Sequence, residues 1–150
     1  KYRGKVVIVE VIGTWCPNCT DQTRFLAPWF RENRQRGVEA IAVAFEQEDS
    51  FEYFQQRLRK FRDFFDIHYD IVHGGVADKK LATEKLQGLN YMAAFPTTIV
   101  IDRRGEVREI YTGFTGPVTG GYYEEYVARF NALMDELLAE PDPYAATAGQ

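Results

Sequence analysis

Val6 to Ile12 reads as a nearly continuous apolar, β-branched run, the pattern of a strand covered on both faces in a largely parallel sheet. From about Thr20 the period changes. Phe25, Leu26, Trp29 and Phe30 recur at helical spacing, Arg31, Arg34 and Arg36 gather toward the end, and Gly37 supplies the stop. Pro28 inside this stretch predicts a bend, because it removes one backbone hydrogen bond and crowds the preceding turn. Val38 to Phe45 is a second core strand, and the acidic run Glu46-Gln47-Glu48-Asp49 reads as a surface loop. Ser50 then caps a helix whose Phe51, Phe54, Leu58, Phe61 and Phe65 form one apolar stripe, leaving Arg57, Arg59, Lys60 and Arg62 in water.

His68 to His73 predicts a short strand ending at Gly74-Gly75, and Asp78 to Gln87 a short helix stopped by Gly88. Pro96 stands at the first position of a strand, Thr97 to Ile101, where a sheet tolerates a missing N–H. Asp102 to Gly105 is a turn, and Val107 to Thr112 returns as the antiparallel partner. After a loop rich in Gly and Thr, Gly113 to Gly121, the stretch Tyr122 to Glu140 reads as a closing amphipathic helix with Tyr123, Tyr126, Val127, Phe130, Leu133, Met134, Leu137 and Leu138 on its inward stripe. Residues 1–140 therefore form one α/β domain with a central mixed sheet flanked by helices, and residues 141–150, opened by Pro141 and Pro143, a flexible C-terminal tail.

Composition narrows the picture. At 150 residues and 45% hydrophobic content the chain can bury a core without staples, so its two cysteines are free for chemistry. A net charge of -4 with interspersed signs argues against nucleic acid as a partner. No apolar run approaches the roughly 20 residues needed to span a bilayer. The chain opens on Lys1 rather than Met, almost directly on a strand, and is read as a fragment or processed form, so that the lack of an N-terminal targeting segment carries no information.

The two cysteines sit in Trp15-Cys16-Pro17-Asn18-Cys19, where the first strand should hand over to the first helix. Free N–H groups and the positive dipole end at a helix start stabilise an anion, so Cys16 should be the more acidic thiol and the nucleophile. Pro17 suits the first turn, and the two-residue spacing lets Cys19 reach back to close a reversible Cys16–Cys19 disulfide. Glu10 interrupts the first strand six residues before Cys16. A carboxylate there is costly unless protonated, paired or used, and the alternative is a strand-end carboxylate facing solvent. His68 and His73 lie much farther from the cysteine pair than in a zinc finger, so no metal is expected.

The run Gly13-Thr14-Trp15-Cys16-Pro17-Asn18-Cys19 together with Phe95-Pro96-Thr97-Thr98-Ile99-Val100-Ile101-Asp102 resembles the thioredoxin superfamily, and within it the TlpA/ResA-type thiol-disulfide oxidoreductases. The resemblance covers about Gly4 to Glu140. It implies a thioredoxin-like fold with an insertion before a cis-proline strand, Pro96 being the cis residue packed on the cysteine pair. It implies an apolar platform of Trp15, Pro17, Phe95 and Pro96 around an exposed Cys16 sulfur, with the Phe95 backbone free to pair with substrate. Thioredoxins carry at the offset of Glu10 the buried acid that assists the second cysteine, which makes Glu10 the candidate proton acceptor for Cys19. The TlpA/ResA-type glutamate three residues after the second cysteine is here Gln22, which shifts that burden to Glu10.

The implied activity is reduction or exchange of protein disulfides through a mixed disulfide on Cys16, resolved by Cys19, with no cofactor beyond the redox-active pair. Implied partners are proteins carrying disulfides or thiols, apocytochrome c among them, and an upstream thiol electron donor; a monomer is expected. The implied setting is periplasmic or otherwise extracytoplasmic, with a membrane anchor preceding Lys1. One competing reading is a peroxiredoxin-like thiol peroxidase, whose peroxidatic cysteine follows a Thr or Ser by three residues, a position held here by Gly13. The other is a binding module with a static disulfide, which would gain little stability from so short a loop.

Overall fold

The computed structural model describes residues 1–77 and 95–145. Its five strands are β1 (Val6–Ile12), β2 (Val38–Glu46), β3 (Asp70–Val76), β4 (Thr97–Ile101) and β5 (Val107–Thr112), and its helices α1 (Pro17–Asn33), α2 (Phe51–Phe65) and α3 (Gly121–Ala139). The strands form one sheet in the order β3-β2-β1-β4-β5. β1 pairs in parallel with β2 and β2 with β3, while β4 runs antiparallel to both β1 and β5. This is the mixed, helix-flanked sheet of the expected thioredoxin-like fold. The helix expected at Asp78–Gln87 and the lead-in from Leu89, which make up the expected insertion, lie outside the described residues, as does the tail beyond Ala145.

Period-two alternation explains which face is which. Val6, Ile8 and Ile12 on β1, Val38, Ala40, Ala42 and Ala44 on β2, and Val100 on β4 share one face, and there they pack with Leu26 and Phe30 of α1, Phe61 of α2 and Phe130, Met134 and Leu137 of α3. Small alanines on β2 let α1 approach the sheet closely. Odd positions point the other way, where Val11 and Phe45 pack with Val43, Ala77 and Phe95. Glu10 and Glu46 are even-numbered, so both carboxylates are directed onto the helix-covered face.

Four expectations are corrected. α1 begins at Pro17, where the proline is expected in the first turn, rather than about Thr20, where the apolar period starts, because the Cys16 sulfur caps it by accepting the Cys19 N–H. β2 continues through Glu46, which is buried instead of opening a surface loop; a bulge between Ala44 and Phe45 lets the pairing with β3 run on to Val76. β3 passes through Gly74 and Gly75 instead of ending there; a Cβ on Gly74 would come within 2.7 Å of the Phe45 ring, so the strand can cross that ring only as glycine. Phe51 leaves the α2 stripe and is 71% exposed, since it is the first residue of the helix and projects beyond the sheet, whereas Phe54 and Phe61 are buried. Ser50 caps α2 as expected, accepting the Tyr53 N–H. Beyond α3, Tyr144 returns to the N-terminal turn, where the Arg3 guanidinium stacks on its ring.

Candidate functional site

Cys16 is the N-cap of α1, in extended conformation, with its sulfur 3.3 Å from the Cys19 N–H that it accepts. Pro17 occupies the first helical turn, where no N–H is required. The two thiols are unbonded to each other. Their acidities diverge. Cys16 is lowered to about 7 by the hydrogen bond from the Cys19 thiol, against the effect of burial, with further help from the backbone N–H groups of Cys19 and Asn18. Cys19 is raised by the same hydrogen bond and by its burial, and the charge of Glu10 adds to the rise. At neutral pH Cys16 is therefore divided between thiol and thiolate, and its thiolate form is held by the Cys19 thiol.

The segment entering the pair is held by the end of β2. The Trp15 indole N–H donates to the Phe45 carbonyl at 2.8 Å, and the Thr14 N–H donates to Glu46 Oε1 at 3.1 Å. The Arg57 Nε donates to the Thr14 hydroxyl at 3.1 Å. A Cβ on Gly13 would fall 2.2 Å from the Trp15 indole nitrogen and 2.9 Å from the Phe45 carbonyl oxygen, so only glycine fits this turn.

The Phe95–Pro96 peptide is cis, and Pro96 is buried with its carbonyl accepting the Gly113 N–H. The Phe95 carbonyl lies 3.7 Å from the Cys16 sulfur and accepts its thiol proton, although 79 residues separate the two in sequence. Trp15 and Phe95 meet edge to face at 5.6 Å and pack against the core cluster that includes Cys16. This pairing corrects the expectation of an exposed sulfur: Cys16 keeps only 6% of its surface, because the platform closes over it instead of standing around it. Thus Trp15 and Phe95 do gather at Cys16, with Pro96 next in sequence to the Phe95 carbonyl that meets the sulfur.

Beneath the pair lies Glu10, 1% exposed. Its cross-strand partner is Thr98, whose hydroxyl donates to Oε2 at 2.9 Å. Gln22, also buried, approaches the carboxyl without closing a hydrogen bond to Oε1, which has no partner among the described residues. Burial raises the Glu10 pKa well above its ordinary value, and Thr98 and Gln22 offset this only in part. The solvent-facing alternative for Glu10 is thereby removed.

Glu46 is the residue that the sequence reading passed over. It is fully buried, its Oε2 has no partner among the described residues, and burial raises its pKa against the pull of Thr14 and Arg57. Continuing the alternation of Val38, Ala40, Ala42 and Ala44 by one more step would have found it. Among the described residues no three His, Cys, Asp or Glu side chains converge as a metal site would require, and no helix is long and apolar enough to cross a membrane.

Comparisons with known proteins agree with this geometry. The model of the AhpC/TSA family matches residues 1–110. The chain is 30% identical over 112 residues to thiol-disulfide oxidoreductase ResA of Geobacillus kaustophilus, an alignment covering 75% of this chain and 57% of that protein. It is 28% identical over 132 residues to ResA of Halalkalibacterium halodurans, covering 88% and 64%. The chain therefore spans less than two thirds of these relatives. Among solved structures, a thioredoxin-family thiol:disulfide interchange protein from Chlorobium tepidum superposes with a TM-score of 0.68 at 18% identity, covering 92% of this chain and 83% of that one. A thiol-disulfide isomerase from Corynebacterium glutamicum gives 0.61 at 24% identity, covering 93% and 84%. These structures establish the thioredoxin-like fold.

Proposed function

We propose that this chain, which belongs to the AhpC/TSA family, is a thiol-disulfide oxidoreductase that reduces or exchanges disulfides in polypeptide substrates. The observation that carries the reading is the split acidity of Cys16 and Cys19 across one helix start. The names of its relatives support the same class.

In the first step the Cys16 thiolate attacks one sulfur of the substrate disulfide, forming a Cys16–substrate bond and releasing the other sulfur as a thiolate that takes up a proton. In the second, the Cys19 thiol gives its proton to Glu10, directly or through one water, and the resulting thiolate attacks the Cys16 sulfur. The Cys16–Cys19 disulfide forms, the second substrate thiolate leaves, and two electrons have passed to the substrate. Burial raises both Glu10 and Cys19, which keeps donor and acceptor closer in acidity than a buried thiol facing an ordinary carboxylate. An upstream thiol donor then returns the pair to the reduced state. Trp15, Pro17, Phe95 and Pro96 form the wall through which the substrate sulfur approaches, and the narrow opening at Cys16 favours an extended segment over a folded surface. The setting that goes with this role is extracytoplasmic, with proteins such as apocytochrome c in the substrate class.

Gly13 counts against the peroxidase alternative. A Thr or Ser three residues before the reactive cysteine would place its Cβ inside Trp15. Insulin reduction with dithiothreitol as donor tests the reading: wild type accelerates it and Cys16→Ala falls to background, while Cys19→Ala accumulates a mixed disulfide on Cys16. Alkylation of Cys16 should titrate with a midpoint of about 7. Equal rates for wild type and Cys16→Ala would sink the proposal.

A further inference from the structure

Between α1 and α2, beside the active-site turn, lies an open hollow of about 350 Å³. Its inner end is formed by Thr14, two residues before Cys16, and Thr20, whose hydroxyl donates to the Cys16 carbonyl at 3.3 Å. The wall is basic: Arg24, Arg57 and Lys60 line it and no carboxylate does. Phe64, 74% exposed, and Phe65 supply an apolar side, their rings meeting edge to face at 4.8 Å. In a chain of net charge -4, three cations stand together around this exposed aromatic surface.

The cations are only partly spent on the protein itself. Arg24 holds Asp21, which stands outside the lining, at 3.0 Å. Arg57 uses its Nε on Thr14, lies over the Tyr53 ring and acts by its charge on the buried Glu46, while its other N–H groups have no acceptor among the described residues. Lys60 is exposed and has no ion-pair or hydrogen-bond partner among them. Carboxylates are the ligands that such donors recognise, and the phenylalanine edge adds a place for an aromatic ring. The volume sits at the lower end of that of small-ligand sites, enough for one or two side chains rather than a folded domain.

We propose that this hollow is a docking subsite for an acidic, aromatic-bearing segment flanking the disulfide of a polypeptide substrate. The identity of the occupant as substrate rests on the exchange reading above. A segment tethered to Cys16 through a mixed disulfide meets the hollow at high effective concentration, so a shallow, open subsite suffices to discriminate between substrates. Its charge preference also runs opposite to what the net charge of the protein would produce by long-range steering, which separates the two causes.

Three short peptides test this, each with one cysteine carried as its mixed disulfide with thionitrobenzoate and flanked by Glu-Phe-Glu, Gln-Phe-Gln or Lys-Phe-Lys. Release of thionitrobenzoate by the reduced full chain, as its Cys16–Cys19 pair is oxidised in a single turnover, gives a second-order rate constant for each. The expected order is Glu above Gln above Lys, with a Glu-to-Lys ratio of about 10-fold at low salt that shrinks toward 1 in 1 M salt. Lys60→Glu should bring the Glu-to-Lys ratio toward 1, and Phe64→Ser should lower the Glu and Gln peptides together. Equal rates for the three, a preference for Lys, or a Glu preference untouched by Lys60→Glu overturns the proposal. If no peptide is reduced, it is the exchange reading that fails. The hollow is then decided by binding of the serine analogues of the same peptides, followed by tryptophan fluorescence: a Glu-over-Lys preference lost in Lys60→Glu upholds it, and none overturns it.

Discussion

Glu10 and Glu46 project from neighbouring parallel strands onto the same face of the sheet, about four residues or 13 Å apart along the strand direction, and both are sealed from water. The protein compensates them differently. Glu10, in mid-strand, receives the hydroxyl of its cross-strand neighbour Thr98, a group that can turn and exchange partners. Glu46, at the strand end, holds the backbone N–H of Thr14, a group fixed to the loop that delivers Cys16. Each keeps one oxygen without a hydrogen-bond partner among the described residues. Under the exchange reading proposed above, equal burial serves two ends: Glu10 is the proposed proton acceptor, and Glu46 holds a backbone N–H in place.

The largest effect expected from breaking this contrast is at Glu10. Glu10→Gln removes the proton acceptor and should slow the resolving step about 100-fold, within the usual range for a lost general base. The mixed disulfide on Cys16 would then build up during turnover, while the first attack keeps its midpoint of about 7. The same variant should be the more stable protein at pH 8. A carboxyl whose folded pKa is raised loses stability as pH climbs from its unfolded value through its folded one, at about 1.4 kcal/mol per pH unit, and glutamine does not titrate. Stopped-flow kinetics and denaturant melts at pH 5 and pH 8 check both; unchanged resolution would remove Glu10 from the chemistry.

How far such contrasts can be read from sequence depends on how local their causes are. β1, β2 and β4 were legible because their apolar residues run nearly unbroken, β5 because the turn Asp102 to Gly105 returns the chain after β4, and the cysteine pair because its placement between strand and helix is a property of a few adjacent residues. The start of α1 was misplaced because Pro17, Asn18 and Cys19 carry no apolar period; a sulfur cap, not amphipathicity, sets that boundary. Glu46 was absorbed into the acidic run Glu46 to Asp49, where composition masked a strand position fixed by parity. The covering of Cys16 was out of reach for a different reason, since it depends on Phe95 arriving from 79 residues away.

A middle-sized effect is expected at Thr98. Thr98→Val keeps the shape and removes the hydroxyl, leaving the Glu10 carboxyl without its donor from β4 and with Gln22 alone, a loss of about 2 kcal/mol for a buried polar group. Without that donor the Glu10 pKa rises further, so the deficit should be larger at pH 8 than at pH 5. A deficit independent of pH would mean that Thr98 matters only for packing.

The smallest effect, and the one that sharpens the comparison most, is at Glu46. Glu46→Gln retains an oxygen for the Thr14 N–H, whereas Glu46→Ala leaves that N–H without its acceptor. If Glu46 works by gripping the loop, the Cys16 midpoint should stay at about 7 in the glutamine variant and rise in the alanine variant, because the sulfur then loses its fixed place at the helix start. Stability separates the two carboxyls in the same experiment. The Glu46 pKa is raised by burial, so wild type loses stability relative to Glu46→Gln as pH rises above the ordinary glutamate range; the gain of the variant at pH 8 should stay under about 1 kcal/mol, since Arg57 and Thr14 already offset part of the cost. Its turnover should match wild type, in contrast to Glu10→Gln. A glutamine variant that resolves the mixed disulfide as slowly as Glu10→Gln would mean that both carboxyls handle protons and that the division between them is wrong.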